Sequence, residues 1–164
     1  MLNIHEYSED LKRQFEEEAA QIRQILGKDV TIEHVGSSAV GIGGKNIIDI
    51  LVGTKNIRET ADKLIGAGYF EGNDSHEDRI FLASRQEETQ AGDTHIHVCD
   101  IDSQTFRDFL TLRNYLRAHP DEAKAYEQRK HIFSEQAQHD RKTYKRLKAA
   151  YVSELLERAK KAQN

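Results

Sequence analysis

The stretch HVGSSAVGIGGKNIIDILVG, residues 34 to 53, constrains the fold more than any other part of the chain. Five of the ten glycines lie in it, between and after two runs of strand character. VTIEHV (30 to 35) reads as a short strand. NIIDILV (46 to 52), rich in β-branched residues and bounded by turns, reads as a more buried one. A strand that ends in a Gly-Ser turn and enters a short helix exposes backbone N–H groups and hydroxyls, a common way of holding phosphate. Gly36, Ser37 and Ser38 are therefore candidates for phosphate contact, with a plain helix-capping turn as the alternative. Asp49 stands amid Ile47, Ile48, Ile50 and Leu51. A carboxylate buried there must find a cation or donors, because desolvating it unpaired is costly. A metal or ligand role and a salt bridge to Lys45 or an arginine both meet that need.

The remaining pattern is of helices around a sheet. Apolar positions Leu11, Phe15, Ala19, Ile22 and Leu26 recur at helical spacing, with Ser8 as N-cap and Gly27 as stop. A second helix is expected over residues 56 to 66. Strands RIFLAS (79 to 84) and THIHVCDI (94 to 101) flank the polar loop RQEETQAGD, which carries Gly92, and residues 69 and 70 begin the first arm. The order α-β-β-α-β-β predicts an α+β domain with a mixed sheet. After Ile101 the texture is helical: Ser103 caps one helix, Pro120 opens the next, and a last one runs from about Asp140. With no linker evident, residues 1–164 are expected to form one domain, a sheet portion (1–102) with a helical portion (103–164) packed on it.

Composition bounds the function. Cys99 is the only cysteine, so a disulfide scaffold is excluded, and its apolar neighbours predict a buried thiol. No apolar stretch approaches a membrane span and the N-terminus is acidic, which gives the expectation of a soluble cytoplasmic protein. Net charge is −4, unevenly spread: residues 1–119 carry 13 basic against 21 acidic side chains, and residues 120–164 carry 11 against 7. No nucleic-acid recognition motif accompanies the basic tail and its aromatics lie on an apolar stripe, which argues against nucleic acid as partner.

Neither a Walker A loop nor a dinucleotide fingerprint is present. Gly36-Ser37, eleven intervening residues and then Asp49 match instead the outline of the nucleotidyltransferase signature, in which a strand Asp holds a divalent metal. Such transfers spread negative charge over phosphate oxygens, and carboxylate-held metals neutralise it. EHVGSSAVGIGGKNIIDILV, THIHV, FRDFLTLRNYLRAHPDEAKAYEQRK and the closing Y..LK..YV together resemble the GrpB-like family, over about Ile32 to Ala159. The resemblance implies a nucleotidyltransferase-like mixed β-sheet flanked by helices, with a C-terminal helical segment on it.

It also implies a ligand, a nucleotide triphosphate or another phosphorylated small molecule, with Lys45 and Asp49 as catalytic residues. Gly36, Ser37, Ser38, Lys45, Arg79, Arg107, Tyr126 and Lys130 are the expected contacts, and Mg, Mn or Zn the expected ion. Two departures stand out. The family's prolines are replaced by Gly41 and Asn46, and the second acidic ligand usual two positions after the first is Leu51. Two-metal chemistry usually recruits three carboxylates. The missing ligand could come from His95 and His97, which alternate onto one strand face, and from His34; imidazoles favour Zn or Mn over Mg. His5, His76, His119, His131 and His139 read as surface or packing residues. Three functions follow: a nucleotidyl- or phosphotransferase, a phosphoanion-binding module without transfer chemistry, and a metal-dependent hydrolase.

Overall fold

The computed structural model describes residues 2–86 and 93–164, so Gly92 and most of the loop around it lie outside the described residues. The first helix, α1 (Asp10–Leu26), ends at Gly27 with φ +84°. It begins just after Ser8, whose hydroxyl and carbonyl accept from the N–H groups of Asp10 and Leu11, while Glu9 holds the cap position without a side-chain bond. Strand β1 (Thr31–Val35) runs directly into the short helix α2 (Gly36–Val40), closed by Gly41 in the left-handed region. Strand β2 (Ile48–Thr54) starts two residues later than the apolar run suggests. The reason is Asn46, whose φ of +62° cannot continue a strand. Asparagine tolerates that conformation, and proline, fixed near −65°, cannot adopt it.

Helix α3 (Ile57–Gly66) and strands β3 (Phe70–Glu71), β4 (Arg79–Ala83) and β5 (Thr94–Asp100) follow. The tail forms α4 (Gln104–Ala118), α5 (Pro120–Gln136) and α6 (Arg141–Ala162). Ser103 Oγ accepts from Phe106 N and Pro120 sits in the first turn of α5, as the sequence predicts, and Asp140, where the sequence places the start of the last helix, accepts from Thr143 N.

The sheet order is β1-β2-β5-β4-β3, with β2 and β5 parallel and the other pairs antiparallel. Side chains alternate across each strand, so one face carries Ile48, Ile50, Val52, Ile80, Leu82, Ile96 and Val98. These pack with Leu11 and Ile22 of α1 and with Ala61 and Leu64 of α3. At ~1.5–3 kcal/mol for each fully buried aliphatic side chain, this layer anchors the sheet. The opposite face carries Val35, Leu51 and Cys99 under Phe106 of α4, with Phe109 and Leu110 alongside. Gly53 permits this packing, since a Cβ there would stand 2.6 Å from Phe106 Cε2. The tail thus covers one half of this face and leaves the end holding Asp49 lined by cavities.

Candidate functional site

Asp49 is the hub. Register places it opposite Val35 on β1 and His95 on β5, with Leu51 opposite His97. His97 Nε2 lies 3.1 Å from Asp49 Oδ1, and His95 Nδ1 lies 3.9 Å from the same oxygen. An ionised carboxylate only accepts, so Nε2 of His97 carries the hydrogen, and its buried Nδ1 has no hydrogen-bond partner among the described residues. Burial alone would lift the Asp49 carboxyl. The hydrogen bond from His97 and the charges of His97, His95 and Lys148 outweigh it and hold the group at about 2. The partner of this carboxylate is therefore an imidazole, and not the lysine or arginine that a structural salt bridge would use.

Gly36 is required where it stands. Its φ is +76°, and a Cβ would meet Asp49 Oδ2 at 2.7 Å. The glycine lets the carboxylate lie against the backbone of the turn. The two serines diverge. Ser37 Oγ accepts from Lys130 Nζ at 2.7 Å, facing the hub. Ser38 Oγ lies 2.9 Å from His34 Nε2, so its hydroxyl is engaged by a neighbour while it lines the edge of the cavity.

Lysines dominate the cavity. Ser37, Lys45, Asp49, His95, Lys130 and Lys148 share one lining. Lys130 is 1% exposed, beside Ser37 and the Gly43 carbonyl, to which it donates. Burial, with repulsion from Lys148, brings its pKa down to about 7 despite the pull of Glu127 and Asp49. Burial, then Lys148 and Lys145, bring Lys45 down to about 8. Lys45 lies over the Tyr144 ring, 5.2 Å from its centre. The Tyr126 ring lies 4.9 Å from Lys130 Nζ, and burial raises its hydroxyl pKa. Amines whose charge is disfavoured by burial and by one another are sites where an anion gains most.

Three expected residues fall differently. Arg107 is on the exposed start of α4, bonded to the Asp102 carbonyl and Gln104, and lines none of the cavities around Asp49. His34 does not converge with His95 and His97. It sits opposite Ile50, on the other sheet face, stacked on Phe15 at 4.3 Å, where burial lowers its pKa to about 4. Arg79 is at the site's outer edge, its guanidinium 6.0 Å from the Phe109 ring centre and its buried Nε without a hydrogen-bond partner among the described residues. His119 and His139 serve packing, with Nδ1 atoms on the carbonyls of Tyr115 and Leu2.

Lys148 is the residue the sequence reading passed over. It lines all three cavities around Asp49 and perturbs Lys45, Asp49 and Lys130. The signal was available: Tyr144, Lys148, Tyr151 and Leu155 form one helical row, so a lysine interrupts an inward-facing stripe.

A mixed sheet carrying an aspartate on a central strand, beside a Gly-Ser turn that opens a short helix, defines a protein of nucleotidyltransferase-type fold. Cid1, solved in complex with its short product ApU, shares that fold, with a TM-score of 0.55 and 14% identity over 79% of this chain and 42% of Cid1. The chain belongs to the GrpB family: the family described as GrpB protein matches residues 1–158. The glutamate-rich protein GrpB of Alkalihalophilus pseudofirmus is 31% identical over 92% of this chain and 91% of its own. The crystal structure of the conserved protein GrpB from Enterococcus faecalis superposes with a TM-score of 0.84 at 29% identity, over 99% of this chain and all of that one. Among the described residues no helix is long and apolar enough to cross a membrane.

Proposed function

We propose that this protein binds the phosphoryl group of a phosphorylated small molecule in the cavity between α2 and α6, and does so without a two-metal centre. The observation that carries the reading is the convergence of Lys45, Lys130 and Lys148 on a cavity whose lining holds one acidic side chain, Asp49. Nucleotide triphosphates belong to the proposed ligand class, since the fold is shared with Cid1, described as having RNA terminal uridylyl transferase activity.

The donor set argues against the pair of divalent ions used in that chemistry. Leu51 is wholly buried in the cluster of Val35, Cys99 and Phe106, and Asp49 Oδ1 is engaged by His97. Among the described residues, no group of three or more His, Cys, Asp or Glu side chains is arranged to hold a metal. Amines then supply the positive charge that metals supply elsewhere. Asp49 fixes His97 and offsets part of the lysine charge.

The test is thermal stability in EDTA with pyrophosphate, ATP, GTP or CTP, repeated with Mg, Mn or Zn. Stabilisation is expected in EDTA and should fall at least tenfold in ligand affinity in Lys148→Ala. An effect that appears only with metal and is lost in Asp49→Asn would overturn the reading. A second reading, a transition metal held by Asp49, His95 and His97 for hydrolysis or transfer, is favoured by the approach of two imidazoles to one carboxylate oxygen. It requires His97 to give up its bond to Asp49. Metal analysis of protein purified after Zn or Mn supplementation separates the two readings.

A further inference from the structure

The lysine-lined cavity does not end at the amines. Ser37, Asp49 and Lys148 also line a second cavity, of about 240 Å³, whose wall is Val40, Phe109, Leu112, Leu116, Tyr126 and Val152. These come from α2, α4, α5 and α6, so the chamber exists only because the tail is folded over the sheet. Its polar lining is mostly basic, Arg79, His97, Arg113 and Lys148 with the Ser37 and Tyr126 hydroxyls and Asp49, and part of it is engaged. Arg113 donates to Glu33 Oε2 at 2.6 Å and to the His34 carbonyl at 3.1 Å, and His97 is held by Asp49. Among the described residues, its lining includes no asparagine or glutamine side chain and no carboxylate besides Asp49. Nucleobases are discriminated by such hydrogen-bonding edges, and a site without them selects by shape and apolar burial.

Resting on the phosphoanion reading, we infer that the ligand is a phosphate monoester carrying one apolar, ring-sized group. Its phosphoryl end meets Ser37 and Lys148, and its ring fills the second cavity. The shared residues set the distance: a group joined to the phosphoryl oxygen by one ester bond passes directly from one lining to the other. Size agrees, since apolar cavities of about 150 Å³ hold benzene. Burying one ring is worth roughly 10- to 100-fold in affinity, on the scale for a fully buried aromatic side chain. The ring is recognised by fit and burial, and a ribose with a base gains nothing further.

Calorimetric titration of the whole protein in EDTA with inorganic phosphate, phenyl phosphate, AMP and UMP decides the matter. Phenyl phosphate is expected to bind at least tenfold more tightly than inorganic phosphate and no more weakly than AMP or UMP. Val152→Trp, which fills the cavity, should remove that advantage while inorganic phosphate binds as before; Leu112→Phe is the milder variant should Val152→Trp fail to fold. Equal affinity for phosphate and phenyl phosphate in the unmodified protein overturns the inference and leaves the phosphoanion reading standing. AMP or UMP binding more than tenfold tighter than phenyl phosphate overturns it too, since base edges would then be read. If neither phosphate nor phenyl phosphate binds, both readings fall.

Discussion

Position 51 lies one strand period beyond Asp49, on the same face and level with His97. A carboxylate there would be the second metal ligand of an active nucleotidyltransferase, and the leucine invites the thought that reversion restores chemistry. The packing says otherwise. Leu51 is 0% exposed in an apolar cluster with Val35, Cys99 and Phe106, surroundings that disfavour a charged carboxylate. Leu51→Asp is expected to destabilise by about 3 kcal/mol or more, the cost of an uncompensated buried polar group. Urea unfolding measures it, and added Mg should not recover the loss. Recovery by Mg would show that the strand can still assemble a two-carboxylate site. Gly36 gives a sharper residue-scale test. Gly36→Ala combines a positive φ with a 2.7 Å approach to Asp49 Oδ2, so a cost of about 1–3 kcal/mol is expected. Because the clash is with the hub itself, phosphate affinity should fall in the same variant, measured by titration.

At the scale of elements, α4 matters because it closes the sheet face beside Asp49. It rests on Gly53, where a Cβ would approach Phe106 Cε2 at 2.6 Å and Ile101 Cγ1 at 3.1 Å. Gly53→Val should therefore push α4 off β2, costing about 1–3 kcal/mol by overpacking. It should also widen the apolar chamber, whose wall includes Phe109 and Leu112 of the same helix. Calorimetry with phenyl phosphate against inorganic phosphate reads the second effect, and an unchanged ratio would disconnect α4 from the chamber. Elements were also what the sequence made legible. The cap at Ser103, the helix starts at Pro120 and Asp140 and the Gly-Ser turn into α2 are all local signals. What was hidden is non-local. That His97 bonds Asp49, while His34 turns to the other face, follows from strand register, which period-two alternation in one strand cannot reveal. Lys130 was legible as part of the row with Tyr126 and Phe133. Lys148 was lost in a helix with many lysines, most of them solvated, although its row with Tyr144 and Leu155 marks it as inward-facing.

For the molecule as a whole, the buried titratable groups oppose one another in a way that pH exposes. The folded pKa of His34 is lowered to about 4 and that of Lys130 to about 7, with Lys45 at about 8, all below their unfolded values. In each case the unfolded chain binds more protons across the gap, so stability rises with pH, over about 4–6.5 for His34 and upward from about 7 for the lysines. Asp49, held near 2, adds stability that is fully present above its unfolded value of 3.8 and is lost as pH falls through 2. Above about 9 the Cys99 thiol, lifted by burial to about 12, works against this rise, because there the folded chain holds a proton the unfolded one releases. The urea midpoint at fixed ionic strength should climb from pH 4 to 9, and His34→Gln should flatten its lower limb. Anion binding must run the other way, because it needs Lys130 and Lys45 charged. Sulfate is the suitable probe, since its own charge is constant over this range. The rise in Tm that it produces should be large at pH 6 and shrink by pH 9, while the free protein grows more stable. The same amines set both slopes, so Lys130→Met should flatten both. A sulfate shift that is constant from pH 6 to 9 would mean that the anion, if bound, does not sit on these lysines.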